Sequence, residues 1–304
     1  MKKIFYIAPM LLLIGMIVCL KPAHDNVWDP DNPNKATIKG TVFGMNDLPV
    51  SNAEIQLLQD TLVIYDTTSG ADGYYEISNI DPGFYKLVAY APHYVRFEDC
   101  ELESLPAETI AVHDIWFNTQ YYCFEEETPG TTQPFGFDTV SGTWAVIQDG
   151  SQPENHSTPN VYHGEKNAVR PALAILKNSG PDFHLDAKFK LLSSSATGWM
   201  IGAVFGYHSD TMNFYFVSVT HSGIGLHKWI NGIDSLIQAL PHTTLPETWY
   251  DLTVQMCGQD IYVNVDGAEM NCTDPNPYTG KAGFWVVNPS GPAMVNFDDV
   301  YIGR

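Results

Sequence analysis

Period-two alternation is the feature that most constrains this chain, and it is cleanest near the C-terminus. Residues 249–254 and 261–265 alternate apolar with polar side chains, and Asp266-Gly267 follows the second run. Asp-Gly between alternating runs supplies the two positive-φ positions of a tight hairpin. Residues 282–287 form another apolar run, and 294–304 closes the sequence as a strand with an adjacent Asp pair. In such a meander Cys272 falls opposite Ile261 and Cys257 opposite Asp260. The two thiols then lie on outer strands roughly 10 Å apart, beyond disulfide reach. They are expected to be free.

The same period recurs upstream. Runs at 37–43, 53–58, 73–77, 83–90 and 109–117 are separated by turn signals, at the spacing of a sandwich. A second series lies at 124–125, 141–146, 183–190, 202–205, 213–218, 225–232, 248–254, 261–267, 280–285 and 297–300. No amphipathic helix interrupts it. The chain is therefore expected to be all-β. Residues 1–20 form a leader, 21–35 a linker, 36–119 one sandwich and 120–304 another. With 304 residues, 44% of them hydrophobic, both cores can be filled.

Lys2 and Lys3 precede an apolar run to Leu20, the pattern of an export signal. Cys19 follows Met16-Ile17-Val18 and resembles the lipobox of bacterial lipoproteins, whose Cys carries a diacylglycerol. Val18 departs from the small residue usual before that Cys. Lipidation of Cys19, an uncleaved anchor helix and ordinary cleavage all remain open. Each exports the chain, to the outer membrane or cell surface, facing outward or into the periplasm. Fifteen Lys and Arg against 35 Asp and Glu give a net charge of −20. That field repels phosphate backbones, so nucleic acid is excluded as a partner. Residues 24–35 are acidic and Pro-rich and read as a tether. Cys100 and Cys123 flank the last strand of the first sandwich, where export permits a bridge.

Two resemblances sharpen this. Gly40-Thr-Val-Phe, Leu48-Pro-Val-Ser-Asn-Ala53, Asp72-Gly-Tyr-Tyr75 and Ile80-Asp-Pro-Gly-Phe-Tyr85 resemble the carboxypeptidase regulatory-like domain. That family implies a seven-strand, transthyretin-like (Ig-like) sandwich that spaces and supports its neighbours and has no catalytic residues. Pro82-Gly83 is expected to supply a fixed φ and then a positive φ. Residues 248–300 carry Trp-Tyr-Asp-Leu-Thr-Val, Val-Asn-Val-Asp-Gly, Gly-Lys-Ala-Gly-Phe and Phe-Asp-Asp-Val. This progression resembles the laminin-G-like, concanavalin A-like jelly-roll superfamily, which mixes sugar binders, adhesion modules and glycanases.

Catalytic signals are weak. Retaining glycanases need an acid and a nucleophile ~5 Å apart, yet Glu125-Glu126-Glu127 is contiguous and Asp298-Asp299 is adjacent, so alternation turns the pair to opposite faces. No Gly-x-Ser-x-Gly elbow is present, and Arg is confined to positions 96, 170 and 304. The second resemblance implies a structural Ca2+ between the first and last strands, with Glu125 and Asp298 as ligands. For a glycan, His227 and Trp229 lie on the face opposite Ile224 and Leu226, beside an Asn231-Gly232 turn; Trp199, Tyr207 and His208 are second candidates. The expected role is a non-catalytic carbohydrate-binding or adhesion protein. The alternatives are a glycan hydrolase or lyase on the jelly roll, and an assembly module for another surface protein.

Overall fold

The computed structural model describes residues 24–150, 160–166, 171–177, 179–192, 198–209, 213–288 and 291–303. The leader, with Cys19, lies outside them. Among the described residues no helix is long and apolar enough to cross a membrane. The chain packs into two compact units. Of the described residues, one comprises those within 24–42, 50–89 and 97–115, the other those within 43–49, 90–96 and 116–303.

The first unit is a sandwich of eight strands, one more than expected. They are β1 (Ala36–Phe43), β2 (Glu54–Gln59), β3 (Leu62–Thr68), β4 (Tyr74–Ile80), β5 (Gly83–Tyr90), β6 (Phe97–Leu105), β7 (Ile110–Val112) and β8 (Ile115–Trp116). One sheet runs β4-β1-β7, with β8 also on β1; the other runs β3-β2-β5-β6. Alternation along β1 buries Ala36, Ile38 and Val42. Gly40 is there because a Cβ would stand 1.9 Å from the His113 carbonyl oxygen. Gly73 has φ +77°, as its turn demands. Gly83 does not reach positive φ. Its lack of a side chain instead admits the Tyr85 ring and the Gln59 amide, each 3.2 Å from where a Cβ would stand.

The second unit is a jelly-roll sandwich of fifteen strands among the described residues: β9 (Thr119–Tyr122), β10 (Phe137–Ser141), β11 (Thr143–Gln148), β12 (Asn160–Lys166), β13 (Ala172–Leu176), β14 (Phe183–Leu191), β15 (Met200–Tyr207), β16 (Phe214–Val219), β17 (Gly223–Ile230), β18 (Ile233–Pro241), β19 (Trp249–Cys257), β20 (Asp260–Val265), β21 (Ala268–Thr273), β22 (Lys281–Val287) and β23 (Ala293–Gly303). A seven-stranded sheet runs β10-β13-β22-β15-β16-β17-β18. An eight-stranded sheet runs β11-β12-β23-β14-β19-β20-β21, with β9 added on β23. Ile201, Val217, Leu226 and Phe284 from one sheet share a core with Leu185, Phe189, Leu252, Val263 and Phe297 from the other. The Asp266-Gly267 turn has φ +48° and +84°. It sets Ile261 opposite Cys272, and Cys257 opposite Asp260, as counted from the sequence. Cys123, Cys257 and Cys272 are free thiols.

Two expectations fail near the ends of this unit. Its first strand is Thr119–Tyr122, which pairs with β23 from Val300 to Gly303. Phe124-Glu125 is not a strand, because Phe124 turns to φ +59°. The Asp pair does not split across β23 either. Ala293, Val295 and Phe297 point into the core, and then so do Val300 and Ile302. Two residues therefore separate Phe297 from Val300. The register against β14 slips there and Asp299 sits at φ +50°, the geometry of a β-bulge, which re-aims side chains. Asp298 and Asp299 both stand off the core.

Candidate functional site

The outer face of the seven-stranded sheet is built by alternation on β16 and β17. Ile224 and Leu226 enter the core, so Gly225, His227 and Trp229 point the other way. Phe214 lies directly across from Trp229 and Phe216 across from His227. Each pair stacks: Phe214 and Trp229 have centroids 6.0 Å apart with planes 5° from parallel, Phe216 and His227 4.5 Å and 9°. Trp285 meets Phe216 edge-on at 4.4 Å, and its Nε1–H donates to the Val217 carbonyl at 2.8 Å. Leu173, Ile175, Val204 and Tyr207 complete this second apolar cluster; Phe214 and Trp229 are only partly buried at its rim.

His227 is fixed on both ring nitrogens. Nδ1 is 2.8 Å from Asp234 Oδ1 and Nε2 is 2.9 Å from Ser218 Oγ. A carboxylate only accepts, so Nδ1 carries the proton. Gly225 makes room for the ring: a Cβ there would stand 2.4 Å from His227 Nε2. Beside it lies a groove of about 560 Å³, lined by Ser218, Thr220, Ser222, Gly223, Gly225 and His227 among others. Tyr207 and His208 face a smaller hollow of about 330 Å³ with Asp138 and Lys281. Trp199 is placed differently from its expectation: its indole is buried in the main core and presents no face to a ligand.

The outer face of the eight-stranded sheet was not anticipated. Asp186, Asp251, Asp266 and Asp299 line one groove of about 680 Å³ with Lys188, Thr253, Asn264 and Tyr301. Thr253 Oγ1 donates to Asp186 at 2.6 Å, Lys188 Nζ to Asp251 at 2.6 Å and Tyr121 OH to Asp299 at 2.9 Å. Burial lowers the Lys188 pKa, but the hydrogen bond to Asp251 and the charges of Asp251, Asp299 and Asp266 outweigh it. The ammonium is held above the usual lysine range. Beyond this groove the face closes over charge. Lys190 is 1% exposed, pairs with Asp149, and lies 5.1 Å from the Trp249 ring centroid. Each of these acids sits on its own strand or turn as an ordinary outward polar residue. Asp186 and Asp251 carried a signal in their parity against the core positions, whereas Asp299 joins them only through the bulge.

Asp298 is fully buried, and its Oδ1 accepts the Asp299 N–H at 2.9 Å. Burial foremost, then the charges of Asp299, Glu125 and Asp149, push its pKa up to about 8. Glu125 is thus near enough to act on Asp298. Among the described residues, two groups of His, Cys, Asp or Glu have ligand atoms all within 4.8 Å of one another. They are His24/Asp29/Asp31 and Asp99/Glu103/His113, and Glu125 and Asp298 belong to neither.

Against known proteins, residues 37–113 match the carboxypeptidase regulatory-like domain. The first sandwich is such a domain. No curated protein matches the chain. Among solved structures, the Bacillus subtilis carbohydrate-binding module CBM66 is 19% identical with a TM-score of 0.45, over 56% of this chain and 96% of that one. The Bacillus licheniformis beta-glucanase is 11% identical with a TM-score of 0.44, over 62% and 98%. The cellulose-induced protein Cip1 is 13% identical with a TM-score of 0.46, over 60% and 96%. At these low identities and scores, the jelly-roll assignment stands on strand order and core.

Proposed function

We propose that this is an exported, surface-anchored protein whose jelly roll binds a glycan without cleaving it. One observation carries the reading: the half-buried Trp229 stacks on Phe214 on the outer sheet face, and His227 of the neighbouring Phe216/His227 stack lines a groove whose walls mix hydroxyls and glycines with aliphatic side chains. A sugar ring offers an apolar C–H face and a rim of hydroxyls. A half-buried indole suits the first, and fixed hydroxyl and imidazole groups suit the second. In this reading Cys19 carries the lipid and the partner is a glycan or a surface protein; residues 24–35 are not a free tether, because Trp28 stacks on Phe84 and the Ala107 N–H donates to the Val27 carbonyl at 2.8 Å.

Calcium belongs to the same proposal. A fully buried carboxyl crowded by Asp299, Glu125 and Asp149 resists ionisation, and a hard cation would relieve it. The donors are all oxygen, which suits Ca2+. Asp298 and Glu125 would hold the ion, with backbone carbonyls or water completing its shell. It would supply charge neutralisation and tie the segment after β9 to β23.

A second reading, a glycan-cleaving enzyme, is favoured by the four aspartates lining one groove on the eight-stranded face. A third, an assembly module, is favoured by the exposed Ile233, Leu236 and Ile237 of edge strand β18. A glycan array run beside a reducing-sugar release assay separates the three. Binding without release supports the first, release the second, and neither the third.

A further inference from the structure

We propose that Asp99 and His113, with Glu103 orienting the imidazole, form a site for one divalent transition-metal ion of the Zn2+ type in the first sandwich. The three residues join its two sheets: Asp99 and Glu103 lie on β6, and His113 lies between β7 and β8. The backbone of His113 is pinned. Its N–H donates to the Lys39 carbonyl at 2.9 Å, and its own carbonyl accepts the buried Tyr75 hydroxyl at 2.7 Å. Gly40 allows that close approach.

The ring is set by what its nitrogens face. Nδ1 is 2.7 Å from Glu103 Oε1. A carboxylate only accepts, so Nδ1 carries a hydrogen. Nε2 is 3.4 Å from Asp99 Oδ2. A neutral imidazole would aim its lone pair at that carboxylate, and two electron-rich atoms face each other stably only around a positive body. A proton there makes an ion pair, looser at 3.4 Å than the usual charge-assisted hydrogen bond of about 2.7–2.9 Å. Two ligands on a tetrahedral Zn2+, with bonds of about 2.0–2.2 Å, stand about 3.3–3.5 Å apart. The observed separation is one the metal accepts, and the titration below separates metal from proton. Glu103 then completes a carboxylate–histidine–metal arrangement, which fixes the tautomer and strengthens the ligand. The three side chains are 20–23% exposed, which leaves an entry path and room for water ligands. An imidazole donor favours a transition metal over Ca2+ or Mg2+.

The test is calorimetric titration of the full chain with ZnCl2 after its thiols are alkylated. The expected result is one Zn2+ fewer per chain in His113→Gln and in Asp99→Asn than in the wild type. Glu103→Gln should keep the site with affinity weakened by about 10–100-fold. If His113→Gln does not fold, Asp99→Asn alone decides. A stoichiometry unchanged in these variants overturns the proposal, including the case where the heat is lost only in His24→Gln. Loss of binding in none of them, with a His113 ring that titrates with a proton and ignores Zn2+ by NMR, overturns it equally.

Discussion

Asp298→Asn is the most informative single change in the second sandwich. In the folded chain the Asp298 carboxyl is pushed up to about 8, far above the ordinary carboxylate range, chiefly by burial and then by the charges of Asp299, Glu125 and Asp149. A raised carboxyl pKa means that the folded state holds a proton which the unfolded state has released. Stability from this group is therefore full below about pH 4, falls as pH rises toward about 8, and then levels off. Each pH unit within that window costs ~1.4 kcal/mol, so the drop between about pH 5 and pH 7.5 is roughly 3 kcal/mol. Asparagine removes the titration while keeping the shape. Urea unfolding in chelator, at those two pH values, should show the wild type losing roughly 3 kcal/mol more than Asp298→Asn, because the other groups cancel in the difference. Saturating Ca2+ should restore the wild type near pH 7.5 and leave the variant unmoved. Parallel pH curves for the two proteins would refute the buried-carboxylate reasoning. A wild type indifferent to Ca2+ would remove the ion.

Two further perturbations probe other parts of the account. Lys190→Ala leaves Asp149 charged in a nearly closed setting and should cost ~3–5 kcal/mol in urea unfolding; a loss below ~1 kcal/mol would show that the pair is effectively solvated. Cys19→Ser should release the chain from the membrane fraction or block its processing. Unchanged fractionation and mobility would point instead to an anchor helix.

Much of the sandwich was legible because strands write their faces into alternation. The Asp266-Gly267 turn fixed the meander register to the residue, so Cys272 meets Ile261. Likewise Leu226 inward implied Trp229 outward. Alternation failed where backbone geometry departs from period two. The bulge at Asp299 inserts one residue and puts both aspartates off the core, which no local pattern announces. β18 reads as no clear strand because Ile233, Leu236 and Ile237 are exposed as well as its polar residues, leaving no inside-outside contrast. The carboxylate groove was invisible for another reason. Asp186, Asp251, Asp266 and Asp299 are far apart in sequence and are assembled by the strand order alone. Trp199 shows the converse limit: aromatic identity alone does not tell a core indole from a binding one.

The central claim is that Trp229 belongs to a glycan-binding face. Its direct test is a titration of an array-positive glycan against wild type and Trp229→Ala, each with its thermal unfolding curve. Trp229 is partly exposed at the rim of the outer cluster, so the account predicts a retained fold and binding weaker by ~1–3 kcal/mol, as for loss of a stacked anchor. Unchanged affinity, or a stability loss of ~3–5 kcal/mol as for a core aromatic, would contradict it.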